Sequence, residues 1–145
     1  MTVLIVGESN PYGQDPRFAL YHWPRNASGN RLREHLGLTD VEYHKLLKVN
    51  LCRRQWDMRE ARWRAQELMR GPFDVLVLLG AKVRAAFDGP EPFTCTHDPR
   101  AGFPILVGLP HPSGLNRTWL EPDARVRAVG LLQEVAPGVP WRYRP

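Results

Sequence analysis

Four short apolar runs constrain this chain more than anything else in it: residues 3–6 (VLIV), 46–51 (LLKVNL), 75–79 (VLVLL) and 105–109 (ILVGL). Each is rich in Val, Ile and Leu and hardly alternates with polar residues. That is the pattern of strands covered on both faces of a parallel sheet. Parallel neighbours need crossover connections, and helical segments lie between the runs. Residues 30–36 end at Gly37, a C-cap glycine. Thr39-Asp40-Val41-Glu42 has capping-box spacing and opens a short helix. Residues 57–70 put Met58, Ala61, Ala65 and Leu68 on one helical face, and residues 81–87 form a short helix after Gly80. Glu121-Pro122-Asp123 starts a last helix with Val126, Val129, Leu132 and Val135 inward. This alternation predicts an α/β fold: a three-layer α/β/α sandwich around a central, mainly parallel four-stranded sheet, with right-handed crossovers. Residues 1–145 read as one domain. The longest irregular connection is 88–103, and the Pro- and Arg-rich tail 135–145 reads as loosely ordered.

Composition excludes several classes. With 43 % apolar and 24 % charged residues the chain is ordinary globular protein, able to bury a core without disulfides or a structural metal. No apolar run approaches the ~18 residues of a membrane span. The N-terminal MTVLIVGES lacks the basic lead of a signal peptide, so the expectation is a cytoplasmic protein with no membrane partner. Cys52 and Cys95 cannot build a four-cysteine zinc or iron–sulfur site, and they suit a reduced compartment. His22, His35, His44, His97 and His111 show no ligand spacing with Cys or Asp, so neither metal nor cofactor is expected. His97-Asp98 reads as turn chemistry. Lys plus Arg outnumber Asp plus Glu by 20 to 15, a net charge of +5. The excess is mostly arginine, which suits phosphate recognition but does not by itself require an acidic partner.

In an open α/β sheet, ligands bind outside the carboxyl ends of the strands. The first run is followed there by Gly7-Glu8-Ser9-Asn10-Pro11-Tyr12-Gly13, and the second ends in Val49-Asn50-Leu51-Cys52. The third ends in Leu79-Gly80, and the fourth leads into Pro110-His111-Pro112-Ser113-Gly114-Leu115-Asn116-Arg117. Two asparagines and one histidine therefore meet at one edge, beside glycines that allow close backbone approach. No lysine or cysteine nucleophile and no paired carboxylates stand with them. Such a set polarises and hydrogen-bonds a planar, amide-like ligand better than it performs nucleophilic attack.

GESNPYG after the first strand and HPSGLNR after the last resemble the two signature motifs of the uracil-DNA glycosylase superfamily. VNLC resembles that superfamily's middle, base-reading motif. The likeness spans residues 3–117, and HPSGLNR is its most specific part. It implies a monomer, without metal or iron–sulfur cluster, whose partner is DNA. Such a protein flips a base from the duplex and hydrolyses the N-glycosidic bond of uracil or a related deaminated or modified pyrimidine, the opening step of base excision repair.

By that resemblance, His111 donates to uracil O2 as negative charge develops; its alternative is a turn-capping histidine. Asn10 matches the residue that orients the attacking water, and an amide there implies slow turnover; a plain Asn-Pro turn is the other reading. Glu8 is a second candidate to assist the water. Asn50 matches the asparagine that reads the pyrimidine edge, its amide offering the donor and acceptor that uracil needs; otherwise it simply ends a strand. Tyr12 matches the aromatic that crowds ring position 5 and excludes thymine in the strict uracil branch, whereas Asn10 is typical of the mismatch and single-strand-selective branches. Trp23, or alternatively Tyr21, supplies the ring that stacks on the base, unless it packs under a loop. Leu115 stands at the wedge position. Ser113, Asn116 and Arg117 hold flanking phosphates or shape the loop; Lys82 and Arg84 either join them or are solvated helix charges. Two further readings are a catalytically weak or inactive DNA-binding relative, and a hydrolase of the same fold acting on a free nucleotide or hypermodified base.

Overall fold

A computed structural model describes residues 1–9, 15–96 and 102–145 of the chain. All four expected strands form, as β1 (Val3–Ser9), β2 (Leu47–Cys52), β3 (Val75–Leu79) and, after an additional β4 (Cys95–Thr96), β5 (Ile105–Leu109). The sheet order is β2-β1-β3-β5-β4. The first four in that order run parallel. The sheet is thus five-stranded rather than four-stranded. β4 pairs antiparallel with β5 through Cys95↔Val107 and Thr96↔Leu106. It lies in the connection read as irregular, and a pair of exposed residues leaves no hydrophobic period to detect. β1 also outruns its apolar stretch, because β2 holds Gly7 opposite Asn50 and Ser9 opposite Cys52 in the ladder.

The apolar runs alternate in direction although not in polarity. Val3, Ile5, Val75, Val77, Leu79, Val107 and Leu109 enter one core with Leu32, Leu36, Tyr43, Ala128 and Leu132. Those partners come from α1 (Ser28–His35), α2 (Asp40–His44) and, past α3 (Met58–Met69) and α4 (Ala81–Ala86), from α5 (Ala124–Val135). Leu4, Val6, Leu76, Leu78 and Leu106 enter a second core with Ala61, Ala65 and Leu68 of α3 and Val83 and Ala86 of α4. The helix signals act as their chemistry suggests. Gly37 takes φ 67° just past α1. Thr39 Oγ1 accepts from the Glu42 N–H (3.2 Å) while Glu42 accepts from the Thr39 N–H (2.9 Å), a complete capping box. Asp57 caps α3 through the Arg59 N–H at 2.9 Å.

Two expectations need correction. The last helix starts after Asp123, and its inward line is Ala124, Ala128, Val129 and Leu132, leaving Val126 about half exposed. Val129 and Leu132 point inward as expected and Val135 packs partly buried against the same core, so the correction concerns Val126, whose place on the buried line is taken by alanines. The tail is also not loose. Trp141 is buried and donates its indole N–H to the Ala136 carbonyl at 2.9 Å. The Arg142 N–H donates to Leu36 O (3.0 Å), and its guanidinium reaches Gly37 O and Glu42 Oε1, both at 2.8 Å. One aromatic anchor and one bidentate ion pair override a composition that suggested disorder. His97 and Asp98 lie outside the described residues. Among the described residues, no helix is long and apolar enough to cross a membrane.

These contacts make stability depend on pH in two windows. Burial together with the nearby Arg125 and Arg31 lowers His35 from its usual 6.5 to about 4. The unfolded chain therefore binds a proton that the folded one refuses, and stability falls as pH drops from about 6.5 to about 4. The Arg142 and Thr39 hydrogen bonds hold Glu42 at about 2 instead of 4.5, so a second loss follows from about 4.5 to about 2. Urea-unfolding midpoints measured across pH should show both declines. His35→Phe should flatten the upper one and Glu42→Gln the lower one.

Candidate functional site

The candidate site forms where the parallel strands end. Gly7 of β1 stands opposite Asn50 of β2, and Leu79 of β3 stands opposite Leu109 of β5. Asn50 continues the side of β2 that also carries Lys48, and His111 continues the side of β5 that carries Val107 and Leu109. Strand parity therefore brings both side chains out over the same face, that of the first core. Across the sheet, β2 and β5 are three inter-strand steps apart, roughly 14 Å before either side chain reaches inward.

His111 is held as a neutral donor. The Ser113 backbone N–H donates to its Nδ1 at 3.0 Å, so that nitrogen carries no proton and Nε2 does. Burial lowers the pKa of His111 below 6.5; Glu8 acts against that shift and Lys82 adds to it. The ring sits against Gly80, whose φ is 91°. A Cβ on Gly80 would come within 3.1 Å of His111 Cβ and 3.5 Å of Glu8 Oε1. Glycine is required there twice over, by its dihedral angle and by the crowding of histidine and carboxylate around it.

Asn50 is held open. Its Oδ1 is buried and accepts no hydrogen bond from any described residue. An orphan acceptor of this kind typically costs about 1–3 kcal/mol unless a ligand supplies a donor. Gly7 makes room for it, since a Cβ there would lie 2.6 Å from Asn50 Oδ1 and 3.2 Å from Leu20 Cδ2. Leu20 is the residue that sequence reasoning missed. It stands at φ 51°, its carbonyl accepts from the Tyr43 hydroxyl at 2.7 Å, and Gly29 of α1 lies so close that a Cβ would be 2.1 Å from the same oxygen. Nothing local in the sequence marks a leucine for this role; Gly29 inside a helix is the only trace.

The other expected site residues are distributed as follows. Asn10 and Tyr12 lie outside the described residues. Tyr21 is half-buried, edge-on to Phe18 at 5.1 Å and tilted on His22 at 4.7 Å. Trp23 is well exposed just before a cis Pro24. Leu115 is 95 % exposed at the tip of its loop, a position for a wedge rather than for a core leucine. Ser113 positions His111 through its own backbone. Asn116 Oδ1 accepts from the Thr118 N–H at 3.0 Å and so shapes the loop. Arg117 is exposed. Arg84 is mostly buried, lies 3.9 Å from Glu91 and packs on Gly108, and its Nε is buried without a hydrogen-bond partner among the described residues. Lys82 is exposed. Arg31 of α1 braces the loop at Gly114, where a Cβ would meet its guanidinium carbon at 2.9 Å. A cavity of about 600 Å³ shares Asn50 with this site but not His111. Among the described residues, no group of three His, Cys, Asp or Glu could hold a metal ion.

No protein-family model matches the chain, and no curated protein matches it.

Nitrogen NMR of His111 at pH 7 should show Nδ1 unprotonated and Nε2 protonated, with titration below pH 6.5. Gly80→Ala should cost roughly 1–3 kcal/mol in urea unfolding, because alanine resists that backbone conformation.

Proposed function

We propose that the protein is a DNA glycosylase that hydrolyses the N-glycosidic bond of uracil, or of a related deaminated or modified pyrimidine, after flipping it out of DNA. One observation carries the reading: a buried amide acceptor with no partner and a neutral histidine with a free Nε2–H emerge on the same face of the sheet, at its carboxyl edge. A pyrimidine offers matching groups. Its N3–H satisfies Asn50 Oδ1, its O4 accepts from Asn50 Nδ2, and its O2 accepts from His111 Nε2. The motif resemblance supplies the same roles independently. The reading takes the two helical layers about the parallel strands as the α/β/α sandwich of that superfamily, with β4 an addition at its edge.

As the C1′–N1 bond breaks, the electron pair moves onto the base and the sugar becomes oxocarbenium-like. His111 then strengthens its hydrogen bond to O2. A neutral donor suits this step, since the charge it faces is absent from the bound substrate, develops as the bond breaks and stays on the departing base. A water held by Asn10 adds to C1′ and sheds a proton, for which Glu8 is the carboxylate at the same edge. An amide in the water position makes the reaction slow. Leu115 fills the gap left by the flipped base, and Arg117 holds a phosphate beside it. Tyr12 crowds ring position 5, and Trp23 or Tyr21 supplies the stacking ring.

The test is incubation with single-stranded and duplex DNA carrying uracil, hydroxymethyluracil, hypoxanthine or a thymine mismatch, followed by alkaline cleavage. Abasic product from a uracil strand is expected, with the rate lowered ~10²–10³-fold by His111→Ala. Asn50→Ala and Asn10→Ala should also lose most of the activity. Gly7→Ala should fold normally yet lose base discrimination, because its Cβ displaces the Asn50 amide. Retention of DNA with no abasic product from any substrate would identify a binding protein instead; base release only from a free nucleotide or a hypermodified strand would identify the third reading.

A further inference from the structure

A cavity lies at the β2 edge of the sheet, between Asn50 and α3. It encloses about 600 Å³, and its walls include Asn50, Cys52, Arg53, Glu60, Trp63 and Arg64. That volume is in the usual range of ligand pockets, about 300–1,000 Å³. Trp63 stands 65 % exposed on α3 and stacks on no ring among the described residues. The helix does not need it for packing, since its buried line is Ala61, Ala65 and Leu68. Two arginines of an arginine-rich region, Arg53 and Arg64, stand on the cavity wall, while Arg62 and Arg70 line a separate hollow beside Phe87. Residues 53–70 hold six arginines (Arg53, Arg54, Arg59, Arg62, Arg64 and Arg70) against Asp57, Glu60 and Glu67. No side-chain hydrogen bond or ion pair ties any of those arginines to a described residue. Two of the acids already have work: Asp57 caps α3, and Glu60 accepts the Arg53 backbone N–H at 3.2 Å. Asp15, also on the cavity wall, is held by Arg17 at 2.7 Å.

We propose that this cleft is a track for single-stranded DNA, in which Trp63 stacks an unpaired base next to the target nucleotide while Arg53 and Arg64 hold its phosphates. An exposed aromatic among unpaired arginines is the combination that binds single strands without reading sequence. A duplex would not fit it, because its bases are already stacked and paired. The identification of DNA as the polyanion rests on the base-excision reading above. Asn50 lines both the cleft and the candidate site, so a strand held in the cleft passes next to the base-reading amide, and the cleft supplies a preference for unpaired substrate.

Fluorescence anisotropy with a labelled oligo-dT strand, which contains no uracil, tests the cleft directly. Trp63→Ala should weaken binding about ten-fold, and Trp63→Phe should restore most of it. Arg53→Gln and Arg64→Gln should each lower the slope of log K against log salt by about 0.7. Binding to a duplex of similar length should change less than two-fold on Trp63→Ala. Unchanged oligo-dT binding in Trp63→Ala, or equal losses on single strand and duplex, would overturn the proposal. The same variants assayed for abasic product separate the two ideas. Trp63-dependent binding of oligo-dT with no base release leaves the cleft standing without the glycosylase. Base release from a single strand with an unaltered KM in Trp63→Ala leaves the glycosylase standing without the cleft.

Discussion

Val75, Leu76, Val77, Leu78 and Leu79 are all completely buried at the centre of the sheet, and the rest of the molecule is arranged around that strand. Burying such a side chain is worth roughly 1.5–3 kcal/mol. Five of them are comparable to the net stability of a whole domain, about 5–15 kcal/mol, before chain entropy is subtracted. β3 must therefore be covered on both faces and flanked on both edges, which β1, β5 and the two helical layers accomplish. No polar side chain fits within such a strand. Polar chemistry is driven to the strand ends, and the parallel arrangement puts four of those ends at one edge.

Glycines turn that edge into a site. Gly7 clears the space that the Asn50 amide enters, and Gly80 clears the space taken by His111 and Glu8. Neighbouring layers then fix the loops. Gly29 lets α1 approach the Leu20 carbonyl, which the Tyr43 hydroxyl also holds. The Trp119 indole N–H donates to Pro110 O at 3.2 Å, one residue before His111, and His35 stacks on Trp119 at 4.4 Å and 5°. A histidine fixed from both sides needs little reorganisation when a ligand arrives, and such preorganisation gives electrostatic stabilisation its effect.

Much of the architecture was legible because its signals are local. Strands β3 and β5 match their apolar runs residue for residue, and the Gly37 cap, the Thr39 capping box and the Asp57 cap all behave as their side chains dictate. The failures share a cause as well. β4 exists only because β5 offers it an edge. The order of the tail depends on Trp141 meeting Ala136 and Arg142 meeting Glu42, the latter pair 100 residues apart. On α5, Ala124 and Ala128 share the buried line with Val129 and Leu132, while Val126 stays about half exposed.

The candidate site divides along the same line. Sequence alone determined that Asn50 lies near the end of its apolar run and His111 just beyond its own, and a parallel sheet collects such ends at one edge. Only the tertiary structure decided that Asn50 Oδ1 would be buried without a partner, that the Ser113 N–H would set the His111 tautomer, and that Leu20 would pack beside Gly7. It also decided that Trp63, though mostly exposed, would line a cavity beside Asn50. Those facts depend on distances between segments far apart in the chain, and such distances exist only once both cores are packed.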